Sequence, residues 1–381
     1  MGRTRVIVIG AGIIGAACAR ELADAGCAVT VLDRDRPAGA TSAHGEGNIL
    51  VSDKGPGPEL DLALWSTRLW PHVLADIAQR THVDIAGVEW EPKGGIVVAT
   101  TIAGADALRA FAATQCAAGV RLAELDRAAL ADAEPHLTDE VTLAFHYPQD
   151  AQVQPAAATT ALLAASGAEV IVNCEVLGGD ARELRTSTGV LSAELVVNAA
   201  GPWAGEVARR LGAPIAVRPR RGEILVTTPQ PPTVFHKVYD ADYVGAVGSD
   251  SAAVQTSAVV ESTKAGTILL GSSRSQVGFD DRLRPDVLSA IAQKALRLFP
   301  CLADAPVMRT YGGFRPYVPD HLPVIGADPR APWLWHATGH EGAGIGLSVG
   351  TARLLRQLVV GEPSELDATP FRVDRAAVIE Q

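Results

Sequence analysis

The chain reads as an α/β fold in which a parallel, Rossmann-like portion alternates with an antiparallel one, and three observations predict this. Arg5–Ile9 is an apolar strand that runs into glycines at 10, 12 and 15 and then into an alanine-rich helix. A second apolar strand over 28–32 ends at Asp33, which follows Gly15 by 18 residues. Residues 215–315 read mainly as strands with turns, for example 223–227 and 267–271.

The first unit has a chemical meaning. Gly10 permits a tight turn, Gly12 lets the backbone approach a phosphate, and Gly15 lets the helix sit close on the strand. With Ile13 and Ile14 between them, the helix N-terminus then points free N–H groups at an anion. Asp33 stands where an acid meets a ribose hydroxyl, so strand, glycines, helix, strand and acid together predict a dinucleotide site. A signal peptide or membrane span fits less well, because Arg20, Glu21 and Asp24 follow the apolar run at once.

The remaining elements follow in order. Residues 39–48 form a small-residue polar loop able to wrap a ligand, and 59–80 read as an amphipathic helix. Residues 88–90 and 95–99 suggest a hairpin, followed by a helix over about 103–118 and another from about Gln152 to Ala165. Buried-strand character returns at 168–173 and 194–198, and the second of these ends in a strand-to-helix turn, Ala199-Ala200-Gly201-Pro202-Trp203. A strand over 333–338 enters Gly339-His340-Glu341-Gly342, which turns into a last helix through Leu355. There is no internal repeat and no low-complexity linker.

Composition narrows the function. With 381 residues, 48% of them hydrophobic, the chain suggests two domains or an interleaved pair with a sizeable interior. A net charge of −10 without a clustered basic patch argues against nucleic acid or an anionic membrane as partner. The five cysteines are scattered and hold no C-x-x-C pair, so they read as reduced, mostly buried thiols of a cytoplasmic protein, and no metal site is expected. No later segment reaches about 18 uninterrupted apolar residues, so no transmembrane segment is expected.

The N-terminal unit, Thr41-Ser42-Ala43, Asn198 to Trp203, Gly313-Phe314-Arg315-Pro316 with Asp320 and Pro323-Val324-Ile325-Gly326, and the closing Gly339-His340-Glu341-Gly342 turn stand along almost the whole chain. Together they resemble the D-amino acid oxidase/glycine oxidase family of FAD enzymes. Residues 236–244 and 271–280 look like the catalytic subunits of opine oxidase, hydrogen cyanide synthase and D-hydroxyproline dehydrogenase. The resemblance implies a Rossmann-like FAD-binding domain from 1–82, 142–212 and 315–381, interleaved with an α+β substrate domain, 83–141 and 213–314, built on an antiparallel sheet.

By the same resemblance, Asp33 and Arg34 hold the adenosine ribose, Thr41 and Ser42 the pyrophosphate, and Gly45, Gly47 and Asn48 the flavin ring edge. Val176 meets the adenine through its backbone, Gly201 and Trp203 line the cofactor, and His340 and Glu341 flank the flavin. Gly342, Ala343, Gly344 and Ile345 fit a helix N-terminus that stabilises negative charge on the reduced flavin; the alternative is an ordinary glycine-rich connection. Leu347 breaks a second dinucleotide fingerprint there, so NAD(P) is not expected.

On the substrate side, Arg315 is the candidate carboxylate anchor, the alternative being a salt-bridged arginine on a strand. Tyr243 reads as a loop residue whose hydroxyl reaches the substrate or which simply packs. His44 reads as a solvated loop histidine, the alternative being one that approaches the flavin. Some sarcosine oxidases of the wider family attach flavin through a cysteine near this arginine. Here the nearest upstream cysteine is Cys301, so the FAD is expected to be non-covalent. The function implied is FAD-dependent oxidation of the C–N bond of a small amino or imino acid (a D-amino acid, hydroxyproline, an opine or a glycine-like compound). Hydride passes to flavin N5, the imine hydrolyses, and companion subunits are a possible route for the electrons. A self-sufficient oxidase and a non-catalytic or electron-transfer flavin subunit of a heteromeric dehydrogenase stay open.

Overall fold

The structure is a computed structural model that describes residues 3–380. Six strands make one sheet in the order Val324–Asp328, Ala331–Thr338, Leu195–Asn198, Arg5–Ile9, Ala28–Leu32 and Glu169–Ile171. All neighbours are parallel except the first pair, a hairpin. Arg5–Ile9 lies near the middle, with Ile7 opposite Val196 on one side and Thr30 on the other. Its Val6, Ile7, Val8 and Ile9 are all buried, as a strand covered on both faces requires.

Helix Ile13–Asp24 packs between helices Pro155–Ser166 and Gly344–Val360 on this sheet. Its alanines at 16, 17 and 19 are fully or almost fully buried and let the helices approach closely. A second brace holds the last helix. Ser66, in helix Pro58–Arg80, donates to the Gly346 carbonyl at 2.6 Å and accepts from the Gly350 N–H at 3.1 Å. Trp70 Nε1 donates to the same carbonyl at 3.1 Å. The first turn of Gly344–Val360 is thereby fixed from outside its own helix.

The second sheet has eight strands, in the order Val307–Tyr317, Arg218–Thr227, Ile268–Arg274, Gln255–Ser262, Lys237–Asp240, Gly95–Ala99, Leu143–Tyr147 and Ala123–Glu124. Every pair is antiparallel except Lys237–Asp240 with Gly95–Ala99. Helix Pro285–Leu298 covers one face through Val287, Ile291, Ala295 and Leu298. Mixed α/β layers with a parallel sheet and an antiparallel one are thus present.

Four local expectations need correction. Residues 88–99 do not form a hairpin: Ile85–Val88 is a 3-10 turn, and Gly95–Ala99 takes both its neighbours from distant chain. Its five residues are all buried, so it needed a strand on each side, and Pro92 to Gly94 gives no local partner. The helix expected from Gln152 begins at Pro155, with Gln154 as its N-cap accepting from the Ala157 N–H at 2.6 Å. Tyr243 lies not in a loop but in the short helix Asp242–Val247. The last helix runs on to Val360, where Gly361 at φ +73° ends it. Among the described residues Cys18, Cys27 and Cys174 are buried, Cys116 and Cys301 exposed, and all are free thiols. No helix among them is long and apolar enough to cross a membrane.

Candidate cofactor and substrate site

Four connections converge where the parallel strands end at their carboxyl edge: the turns after Ile9, Leu32, Asn198 and Thr338. That edge is where open α/β sheets bind ligands, and a cavity of about 700 Å³ runs along it. At one end Gly10, at φ +107°, bends the chain away from Arg5–Ile9. A Cβ on Gly10 would stand 2.5 Å from the Ala199 carbonyl oxygen, and one on Gly15 would overlap the Gly10 carbonyl. Both glycines are therefore required by space. Helix Ile13–Asp24 starts at Gly12 with no side-chain cap, so its first-turn amides are left to other partners. Ser42 Oγ takes the Ile13 N–H at 2.9 Å. Asp33 accepts from the Ala11 and Asp35 N–H groups at 2.7 and 2.8 Å, which fixes its carboxylate on the cavity wall.

Arg34 and Trp203 meet although 169 residues separate them: the guanidinium carbon lies 3.9 Å over the indole. Trp203 stacks in turn on Phe279, with centroids 5.2 Å apart, and Phe279 meets Phe314 edge-on at 5.3 Å. Thr41 donates its hydroxyl to the Phe314 carbonyl at 2.7 Å, leaving its backbone to face the cavity. Val176 lines the same end, and its carbonyl accepts from Arg210 at 2.8 Å.

The other end is polar and buried. Arg315 is unpaired: Nη1 donates to the Ser273 carbonyl at 2.8 Å, and no salt bridge reaches it among the described residues. Burial, then the like charge of Arg274, lowers its pKa to about 10. A half-buried cation without a salt bridge is a ready anchor for a ligand anion. Gly342 stands beside it, where a Cβ would lie 3.5 Å from Arg315 Nε. Glu341 accepts from Arg220 Nη1 at 2.6 Å and meets His321 Nδ1 at 3.1 Å. Burial alone would push Glu341 up, but the His321 hydrogen bond and the Arg220 and Arg274 charges outweigh it and hold the carboxyl below its usual range. His340 shares a 2.9 Å hydrogen bond with Thr351, and burial pushes its pKa down to about 3, so the ring is neutral. Tyr243 lies 7% exposed, its ring 5.0 Å from that of Tyr239.

Of the residues expected in this site, Gly15 and Ala343 lie off the main cavity. Gly15 supports it from behind, and Ala343 faces a smaller neighbouring one. His44, expected to be solvated, also lines the cavity, its Nδ1 2.7 Å from the Ala40 carbonyl. Sequence reading missed Glu46, Arg221, Tyr311 and Phe279. Glu46 sits between Asn48 Nδ2 at 2.9 Å and Lys237 Nζ at 3.3 Å, and Lys237 also reaches Glu261 at 3.3 Å. One signal was available. Gly222, Gly312 and Gly313 interrupt long strands, and glycine there marks close approach: Cβ atoms on Gly222 and Gly312 would overlap the Arg315 and Arg221 guanidinium groups.

These features fit a flavin dinucleotide. The cavity is long, one end has a glycine cradle at a helix N-terminus, and the other is polar. Near the latter Asn48 Oδ1, Glu46 Oε1 and His340 Nδ1 are buried with no hydrogen-bond partner, sites that a ligand's polar groups would satisfy.

Comparison with known proteins agrees. The bifunctional protein ThiO/ThiG of Trichormus variabilis is 30% identical over 393 residues, covering 97% of this chain and 55% of that protein. The chain thus spans about half the length of that relative. The glycine oxidase of Geobacillus kaustophilus is 29% identical over 387 residues, covering 98% of this chain and 97% of the relative. The crystal structure of glycine oxidase from Geobacillus kaustophilus superposes with a TM-score of 0.87 at 27% identity, covering 98% and 99% of the two chains. Residues 5–358 match the family described as FAD dependent oxidoreductase (DAO), and the chain belongs to that family.

Proposed function

We propose that the chain oxidises the C–N bond of a small amino or imino acid, with FAD held non-covalently along the cavity. The observation that carries this reading is Arg315, a half-buried guanidinium facing the cavity with no salt-bridge partner among the described residues. In this reading the first-turn amides after Gly12, Ser42 and Asp33 hold the phosphate and ribose portion, and Arg34 with Trp203 covers it. Gly45, Gly47 and Asn48 border the ring, with the uncapped first turn of Gly344–Val360 at its far side. FAD, when bound, supplies the two-electron acceptor.

The chain's own residues then orient and shield. Arg315 takes the substrate carboxylate and fixes the α-carbon, and Tyr243 closes the wall beside it. His340 is neutral and bonded to Thr351, and Glu341 is held by Arg220 and His321. Neither is poised as a base, which suits loss of hydride directly from a neutral amine, the imine then hydrolysing in water. The reading places the chain in the cytoplasm, in keeping with its free thiols. It includes companion subunits as the route by which electrons leave, and hydrogen peroxide formation by the isolated chain would exclude that part.

The test is an anaerobic panel of amino acids, imino acids and opines against the FAD-loaded protein, watched for loss of oxidised-flavin absorbance. Arg315→Ala should raise KM about 10- to 100-fold, as loss of a charge-assisted bond implies, with a smaller effect on kcat. Unchanged kinetics would remove Arg315 from the site.

A further inference from the structure

A second cavity of about 170 Å³ adjoins the first and shares Tyr243, Glu341 and Gly342 with it. Its wall carries Arg274, the last residue of strand Ile268–Arg274. Arg274 is 3% exposed, and its Nε is buried without a hydrogen-bond partner. No salt bridge or hydrogen bond engages its guanidinium among the described residues. It faces an aromatic ring: the guanidinium carbon lies 4.7 Å from the centroid of Tyr243.

The acids around the second cavity are committed elsewhere. Glu341 is taken by Arg220 at 2.6 Å and His321 at 3.1 Å, and Asp53 by Lys54 at 2.6 Å. Glu59 makes no salt bridge, and burial pushes its carboxyl up to about 7, so near neutrality it is in good part uncharged. Arg274 is left as a buried cation with no salt bridge of its own: it feels the charge of Glu341 at a distance, but that carboxylate is bonded to Arg220 and His321, so the guanidinium stays open to a ligand. Arg315, half-buried, also lacks a salt bridge among the described residues, and the two are adjacent in space: Arg315 Nη1 donates to the carbonyl of Ser273, the residue before Arg274.

We infer that the site takes an amine carrying two carboxylates, as N-carboxyalkyl amino acids and acidic amino acids do. Arg315 holds the carboxylate beside the reacting C–N bond, and Arg274 holds the distal one past Tyr243 and Gly342. This rests on the oxidase reading for the role of Arg315, whereas the Arg274 pocket stands on its own contacts.

Two pairs of probes differ by one carboxylate each: glutarate against butyrate as unreactive ligands, and iminodiacetate against sarcosine as reductants. Binding to the FAD-loaded protein is followed by the flavin spectral perturbation and by calorimetry. Glutarate should bind about 10- to 100-fold more tightly than butyrate. Arg274→Gln should collapse that preference, Arg274→Lys should keep part of it, and Arg315→Gln should weaken both ligands together. Because a buried charge with no salt bridge is removed, ligand-free Arg274→Gln should melt no lower than the parent protein.

Equal binding of butyrate and glutarate, or a preference that survives Arg274→Gln, overturns the inference. A lower melting temperature for ligand-free Arg274→Gln also overturns it, since it would mark a structural arginine. A preference abolished by Arg274→Gln in a protein that no amine reduces refutes the oxidase reading and supports the pocket. Reduction by sarcosine without any preference for iminodiacetate or glutarate does the reverse.

Discussion

Gly10→Ala puts the cofactor cradle to a quantitative test. Gly10 adopts φ +107°, a conformation that L-residues rarely reach. An added Cβ would stand 2.5 Å from the Ala199 oxygen and 3.0 Å from its carbonyl carbon. These are backbone atoms, and Ala199 is tied to strand Arg5–Ile9 by its N–H on the Ile9 carbonyl at 2.9 Å, so they cannot swing aside as a flexible side chain would. The backbone strain costs about 1–3 kcal/mol, and the overpacking about 1–3 kcal/mol more. The loop can relieve both only by moving along the cavity wall, which spoils the cradle. Even the lower total of about 2 kcal/mol is roughly a 30-fold rise in Kd for FAD. The assay is titration of the apo-protein with FAD, read by flavin fluorescence, with a melting curve beside it. Gly26→Ala is the control: at φ +87° with no atom within 4 Å of the new Cβ, it pays the strain alone, away from the cavity. It should lower Tm and leave FAD affinity as it was. A Gly10→Ala protein that binds FAD as tightly as the parent would refute the reasoning.

Other perturbations test the supporting structure. Lys237→Met strands Glu46 and Glu261 as uncompensated buried acids and should destabilise by about 3–5 kcal/mol in urea unfolding; adding Glu261→Gln should recover part of it. Ser66→Ala leaves the Gly350 N–H without its partner and should cost about 1–3 kcal/mol, read by the same unfolding curves. Glu59, pushed up to about 7 by burial, keeps its proton in the folded protein where the unfolded chain gives it up. Its contribution therefore falls as pH rises from about 4.5 to 7 and levels off above. Glu59→Gln should stabilise by about 2–3 kcal/mol above about pH 8 and by little near pH 4; a stabilisation that does not vary with pH contradicts the assignment.

Local signals were legible in the sequence, and long-range partnerships were not. The glycine unit and Asp33 were readable because strand, turn, helix, strand and acid occupy one short contiguous stretch, and in the structure Asp33 accepts from the Ala11 N–H. Arg34 was readable as a site residue, but its stacking on Trp203, which stacks in turn on Phe279, joins three distant segments. Gly95–Ala99 was recognised as a strand and given the wrong neighbour, because its apolar run says that it is covered on both sides without saying by what. Arg274 stood in a stretch used only for resemblance. Its importance comes from having no salt bridge while the nearby Glu341 is bonded to Arg220 and His321, a fact that exists only in three dimensions.

The most direct measurement of the central claim is anaerobic reduction of the FAD-loaded chain by amino and imino acids, run beside Arg315→Ala. The account predicts that at least one carboxylate-bearing amine bleaches the flavin, and that Arg315→Ala needs about 10- to 100-fold more of it for the same rate. A flavin that stays oxidised with the whole panel, or bleaching indifferent to Arg315, would contradict it.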